Sequence, residues 1–128
     1  MRKSWKVILL TVVIILALFG GAIGYLYFGL HATLQLSIEP VNLTLLADGT
    51  YRGQYTHGRF TCVVEVTVEQ HIVREIKVLR TPPFTPPQLV AQILEQVYHA
   101  QSPAVDTVSG ATASSKTILK AIENALKK

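Results

Sequence analysis

The chain predicts an α+β fold: a small antiparallel sheet with two C-terminal helices, preceded by one transmembrane helix. Three observations carry that expectation. Residues 7–30 hold no charged side chain. Residues 50–79 contain short β-branched runs joined by tight turn signals, and two stretches after Pro87 repeat apolar residues at helical spacing. Strands first and helices after them, without βαβ alternation, is the order of an α+β domain.

The uncharged run comes first. About 20 apolar residues in a helix span a hydrocarbon core of about 30 Å, and a core helix of a soluble domain rarely stays apolar on every face for so long. Gly20, Gly21 and Gly24 are tolerated in a membrane helix, and Trp5, Tyr25 and Tyr27 are the amphipathic aromatics of its two interfaces. Arg2, Lys3 and Lys6 precede the run, whereas the next basic residue is Arg52. The positive-inside rule then puts the N-terminus in the cytoplasm and residues 31–128 outside, on a single-pass cell-membrane anchor. A cleaved signal peptide is the competing reading, but its apolar region is about 7–15 residues and ends at a small-x-small site. Gly24-Tyr25-Leu26-Tyr27-Phe28-Gly29-Leu30 offers no such site. The expected organisation is thus a basic tip and anchor (1–30), a juxtamembrane linker (31–46) and one domain (47–128).

Charge follows the same division. Residues 1–30 carry three basic side chains and no acid, a net +3; residues 31–128 carry nine basic against eight acidic, a net +1. A nearly neutral domain lacks the basic stripe that draws a polyanion, so nucleic acid is not an expected partner. Cys62 is the only cysteine, which excludes an intrachain disulfide or a cysteine metal cluster; it reads as a small apolar strand residue. His31, His57, His71 and His99 are scattered without metal-ligand spacing, so no metal site is expected.

Within the linker, Leu34, Leu36 and Ile38 alternate with polar residues as far as Pro40, an extended pattern. Asn42-Leu43-Thr44 fits a short glycosylation sequon, a weak match. Asp48-Gly49 signals a turn, and Thr50–Tyr55 reads as a strand in which Gly53 marks a bulge or a close backbone approach. After a second turn at His57-Gly58, Thr61–Val68 alternates strictly, with Cys62, Val64, Val66 and Val68 on one face. Gln70-His71 is a two-residue turn into Ile72–Leu79, whose Ile72, Ile76 and Val78 are expected on the inner face. Adjacent strands with such short links form an antiparallel meander.

The prolines of Thr81–Pro87 lack amide donors, which excludes helix and inner strand there. A helix follows with Pro87 in its first turn, its stripe made of Leu89, Val90, Ile93, Leu94, Val97 and Tyr98. Ser102-Pro103 ends it. The last helix is expected from about Ser115 to Leu126, with Ile118, Leu119, Ile122, Ala125 and Leu126 on one face, and Lys127 and Lys128 at its C-terminus, where the helix dipole favours positive charge.

Between these helices runs Asp106-Thr107-Val108-Ser109-Gly110-Ala111-Thr112-Ala113-Ser114-Ser115, small and hydroxyl-rich, directly before a helix N-terminus. Unpaired amides and the helix dipole make that position favourable for a phosphate, and Gly110 and Ala111 let a ligand approach the backbone. The plainer reading is that Ser114 or Ser115 only caps the helix. A hydrolase on Ser109 or Thr112 is disfavoured, because Ser-Gly-Ala-Thr is not a Gly-x-Ser-x-Gly elbow.

Asp106-x-x-Ser109-Gly110-Ala111-Thr112 resembles the flavinylation motif of the FMN-binding domain family, which includes the covalent-FMN subunits of the sodium-pumping NADH:quinone reductase and of the Rnf complex. Asp48-Gly49-Thr50-Tyr51-x-Gly53 resembles the opening strand of that family, and the order of the following strands and the closing helix is similar, so the resemblance covers about residues 47–128. It implies FMN as cofactor. It further implies that a flavin transferase, using FAD and magnesium, attaches FMN through its phosphate to Thr112. Asp106, Ser109, Gly110 and Ala111 would be recognised by the transferase or shape the phosphate pocket. Where the larger subunits have an insertion, this chain has only the Pro-rich 80–87 segment, which implies a more exposed flavin ring. Tyr51, Tyr55 and Phe84 are candidates to stack on it, although an aromatic in a small core is more often a packing residue.

The expected function is electron transfer by a carrier that works beside membrane or extracytoplasmic redox proteins, since no Gly-x-Gly-x-x-Gly follows a strand to hold NAD(P)H. The alternatives are a module that binds FMN non-covalently, as a sensor or reservoir, and a structural protein of the same fold without cofactor.

Overall fold

The computed structural model describes residues 2–108 and 110–127. It contains the helices α1 (Arg2–Tyr27), α2 (Leu30–Leu34), α3 (Pro87–Ala100) and α4 (Thr112–Leu126), and the strands β1 (Gly49–His57), β2 (Phe60–Glu69) and β3 (Ile72–Arg80). The strands form one antiparallel sheet in the order β1-β2-β3. The fold is the expected one, an antiparallel meander followed by two helices.

Helix α1 is long and apolar enough to cross a membrane, and its side chains are exposed throughout. It ends three residues before the apolar run does. Phe28 and Gly29 break it, with Gly29 in the left-handed region at φ 82°, and the one-turn α2 follows. Two side-by-side contacts lock this break onto the β1–β2 turn. The Phe28 and His57 rings stack with centroids 5.7 Å apart and planes 12° from parallel. A Cβ on Gly29 would lie 2.7 Å from the His57 carbonyl oxygen, and one on Gly58 would lie 2.7 Å from that of Phe28. Glycine at both positions is what lets the two backbones meet.

The turn lies at Gly58-Arg59, one residue later than expected, because His57 still pairs with Phe60 in the ladder. The turn after β2 falls at Gln70-His71, both at positive φ (52° and 63°), the conformation that matches strand twist in a two-residue hairpin.

Strand β2 buries Cys62, Val64, Val66 and Val68 on one face as its alternation predicts. Burial pushes the Cys62 thiol up to about 12, so it behaves as a packed apolar residue. Strand β3 departs from expectation. Thr67 pairs with Glu75 and Val68 with Val73, leaving Arg74 as an extra residue. This bulge reverses the side-chain alternation, so Val73 is buried (3% exposed) and Ile72 is not (40%). Ile76 stays in the core and Val78 packs against it.

Helix α4 lies across β1 and β2 and buries Ile118, Leu119, Ala121, Ile122, Ala125 and Leu126. Helix α3 contributes Leu89, Ile93 and Val97, and the segment before β1 contributes Leu43 and Leu46 to the same core. Asn42 serves there as a local cap: its side chain accepts from the Thr44 amide at 3.1 Å. The free edge of β3 is covered from α3. The Tyr98 hydroxyl accepts from the Ile76 amide at 2.7 Å, and the Gln101 side chain accepts from the Val73 amide at 2.7 Å. Edge amides bonded in this way no longer offer a template for another strand.

Among the described residues one charged group is fully buried. Glu123 on α4 meets Lys120 Nζ at 2.6 Å and Lys127 Nζ at 3.0 Å, and accepts from the Glu39 amide at 3.2 Å. Lys127 also pairs with the Glu39 carboxylate. Burial alone would raise the Glu123 pKa; the two lysines and the amide outweigh it and hold the carboxyl below its usual value. The network stitches residues 34–39 along α4, with Lys116 donating to the Leu34 carbonyl.

Candidate functional site

Helix α4 begins at Thr112, three residues earlier than Ser115. The expectation that Ser114 or Ser115 caps it is corrected. The N-cap position is Ala111, whose methyl cannot accept a hydrogen bond, and the first turn carries no acid. The first intrahelical bond runs from the Ser115 amide to the Ala111 carbonyl at 2.9 Å. The amides of Thr112, Ala113 and Ser114 therefore precede the hydrogen-bonded ladder. Ser115 works inward: its Oγ donates to the Ala111 carbonyl at 2.7 Å and accepts from the Val108 amide at 3.2 Å. This fully buried serine fixes the loop to the helix it precedes.

Gly110, Ala111, Thr112, Ala113 and Ser114 line an open cavity of about 380 Å³. Its remaining walls are Leu30 and Leu34 from α2, and Arg59 and Phe60 from the β1–β2 turn. Gly110 is left-handed at φ 81°, with nothing within 4 Å of where a Cβ would stand. Among the described residues no hydrogen bond involves the Thr112 hydroxyl. The cavity thus has a polar corner (Thr112, Ser114, Arg59 and three helix-start amides) beside an apolar wall. One cation, a helix N-terminus of fifteen residues and no carboxylate in the lining favour an anion.

The family model for the FMN-binding domain matches residues 57–127. The chain belongs to the FMN-binding domain family. Its cofactor is FMN. The matched stretch covers more than half of the chain, from the last residue of β1 to the residue after α4, so Asp48–Gly53 lies before it. No curated protein matches the chain.

The cavity fits an FMN-binding domain: an anionic phosphate suits the polar corner, and an apolar wall for the rest of the ligand adjoins it. Among the motif residues, Gly110, Ala111 and Thr112 come together there. Asp106 does not. It lies exposed in a separate depression with Gln96, His99 and Val105. Ser109 lies outside the described residues, as does Lys128. The aromatic candidates are also elsewhere: the Tyr51 hydroxyl donates to the Ala47 carbonyl at 2.6 Å, Tyr55 bonds Thr33 at 3.0 Å, and Phe84 is solvent-exposed at φ 61°. No site role is legible in the sequence for Leu30 and Leu34, nor for Arg59 and Phe60 at the hairpin tip. The latter two stand about fifty positions before the motif and reach it only because the hairpin tip folds back to the start of α4; no spacing in the chain announces that.

Proposed function

We propose that this FMN-binding domain carries its flavin covalently on Thr112, faces outward from a single-pass membrane anchor, and relays electrons between redox proteins in or beside the membrane. The observation that carries the reading is the position of Thr112. Its hydroxyl belongs to the first residue of α4, on the rim of a cavity whose lining is cationic and free of carboxylates.

Attachment balances as a group transfer from FAD, catalysed by a flavin transferase with magnesium. The Thr112 oxygen bonds to the phosphorus of the FMN half. The bond from that phosphorus to the bridging oxygen breaks, AMP leaves with that oxygen, and the hydroxyl proton passes to a base of the transferase. On this chain, the Thr112–Ser114 amides hold the phosphate, Gly110 and Ala111 leave the approach open, and Leu30, Leu34 and Phe60 form the apolar side. Bound FMN supplies one- and two-electron chemistry, and the protein supplies its position. The outward orientation is supported by Arg2, Lys3 and Lys6 ahead of α1.

The test is the intact mass of the full chain made together with a flavin transferase. A gain of FMN less one water, mapped to the Thr112 peptide and absent from Thr112→Ala, is the expected result. An unchanged mass while a known substrate is modified, or acid-resistant flavin on Thr112→Ala, would overturn the covalent assignment.

A further inference from the structure

We propose that Arg59, at the tip of the β1–β2 hairpin, is a cofactor-binding residue whose guanidinium clamps the flavin phosphate held at the start of α4. The inference rests on the Thr112 reading and adds the cation that completes it. Arg59 is half-buried. Its Nε donates to the Leu26 carbonyl at 2.9 Å, and its guanidinium carbon stands 4.9 Å from the centre of the Phe60 ring. Both contacts fix the plane of the group, and among the described residues they leave the terminal nitrogens without a hydrogen-bond partner. Among the described residues it forms no ion pair. A partly buried cation that lines one cavity with Leu30, Leu34 and Phe60 favours an anionic ligand.

The anion the cavity invites is a phosphate. A guanidinium presents paired N–H donors that match two phosphate oxygens. From the other side the Thr112, Ala113 and Ser114 amides open the α4 ladder, and among the described residues no side-chain cap or first-turn acid occupies them. A phosphodiester on Thr112 would then be held between a helix N-terminus and Arg59. The same side chain bonds the last turn of α1, so the loaded site and the end of that helix share one residue.

Phosphate could reach Arg59 from the cofactor or from a phospholipid headgroup near α1. The experiment therefore uses the full chain in a maltoside detergent without phospholipid, with flavin transferase, FAD and magnesium. Arg59→Gln, which keeps a donor for Leu26 but loses the charge, is compared with Arg59→Lys and wild type. The expected result is loading slowed by about tenfold or more in Arg59→Gln, the scale of one charge-assisted hydrogen bond, with Arg59→Lys in between. In loaded protein, the ³¹P resonance of the phosphodiester should shift and the flavin fluorescence anisotropy should fall in Arg59→Gln. Equal loading, ³¹P shift and anisotropy in all three proteins would overturn the role of Arg59 while leaving Thr112 intact. An unchanged ³¹P signal with a lowered melting temperature would make Arg59 a structural tie only. A difference seen only after phospholipid is added would assign the guanidinium to headgroups. Wild type that takes no FMN under these conditions would instead remove the Thr112 reading itself.

Discussion

Gly53 on β1 and Ala125 on α4 meet backbone to backbone. A Cβ at Gly53 would stand 2.6 Å from the Ala125 Cα and crowd the Ala125 amide and the Ala121 carbonyl as well. No flexible side chain is there to give way, so Gly53→Ala must lift α4 off the sheet. A loss of about 3 kcal/mol in urea unfolding is expected. A variant as stable as wild type would mean that the helix shifts freely on β1.

The Glu123 network makes a prediction in pH. Its carboxyl is held below the usual value, so the charged form is favoured by folding. The stability it contributes is complete above the ordinary carboxylate range and is lost as pH falls through the folded pKa. Glu123→Gln should lose about 2 kcal/mol at neutral pH and should fall less than wild type on acidification. Melting curves from pH 7 down to pH 3 check both; parallel curves would show that Glu123 titrates normally.

Ser115 should prove a site residue that never touches ligand. Replacing it by Ala leaves the Val108 amide without its 3.2 Å acceptor, an orphaned donor that costs about 1–3 kcal/mol. The loop holding Gly110 and Ala111 loses its anchor with it. Ser115→Ala is expected to take up FMN more slowly even when fully folded by circular dichroism, whereas Ser37→Ala, an exposed side chain outside the cavity lining, should load as wild type does. Equal rates for both would separate loop order from loading.

Gly58 sits at φ 59° with the Phe28 carbonyl oxygen 2.7 Å from its would-be Cβ. Gly58→Val forces the hairpin tip away from the end of α1. Trypsin should then cut after Arg59 severalfold faster than in wild type, with little change at Lys116 on α4. Unchanged cleavage at Arg59 would show that the tip is not held by this contact.

Much of the fold can be read from local pattern alone. Strand β2 is legible because alternate burial of Cys62, Val64, Val66 and Val68 is written directly in residue order. Helix α3 is legible because Pro87 and its stripe agree. Strand β3 is not: the extra residue Arg74 depends on how β3 pairs with Thr67 and Val68, and a bulge leaves no mark in an apolar run. The start of α4 misleads for a related reason. Ser114 and Ser115 look like caps, yet Ser115 is spent on the distant Val108 amide, and the helix extends back to Thr112. Within the site, Gly110, Ala111 and Thr112 are contiguous and so visible, whereas Arg59 and Phe60 enter through tertiary folding, and Asp106 drops out because the loop turns it toward α3.

The stitching of residues 34–39 onto α4 has a consequence for encounter. Sixteen residues, from His31 to Leu46, would let a flexible tether wander about 20–24 Å. Here Leu34, Ser37 and Glu39 are each bonded to α4, and two residues, Phe28 and Gly29, separate α1 from α2. That slack is gone. The pocket cannot sweep a volume of its own; it turns and tilts only as α1 does. On the proposed membrane anchor, a redox partner would meet the pocket at one fixed height, which would replace a search in three dimensions by lateral diffusion in two.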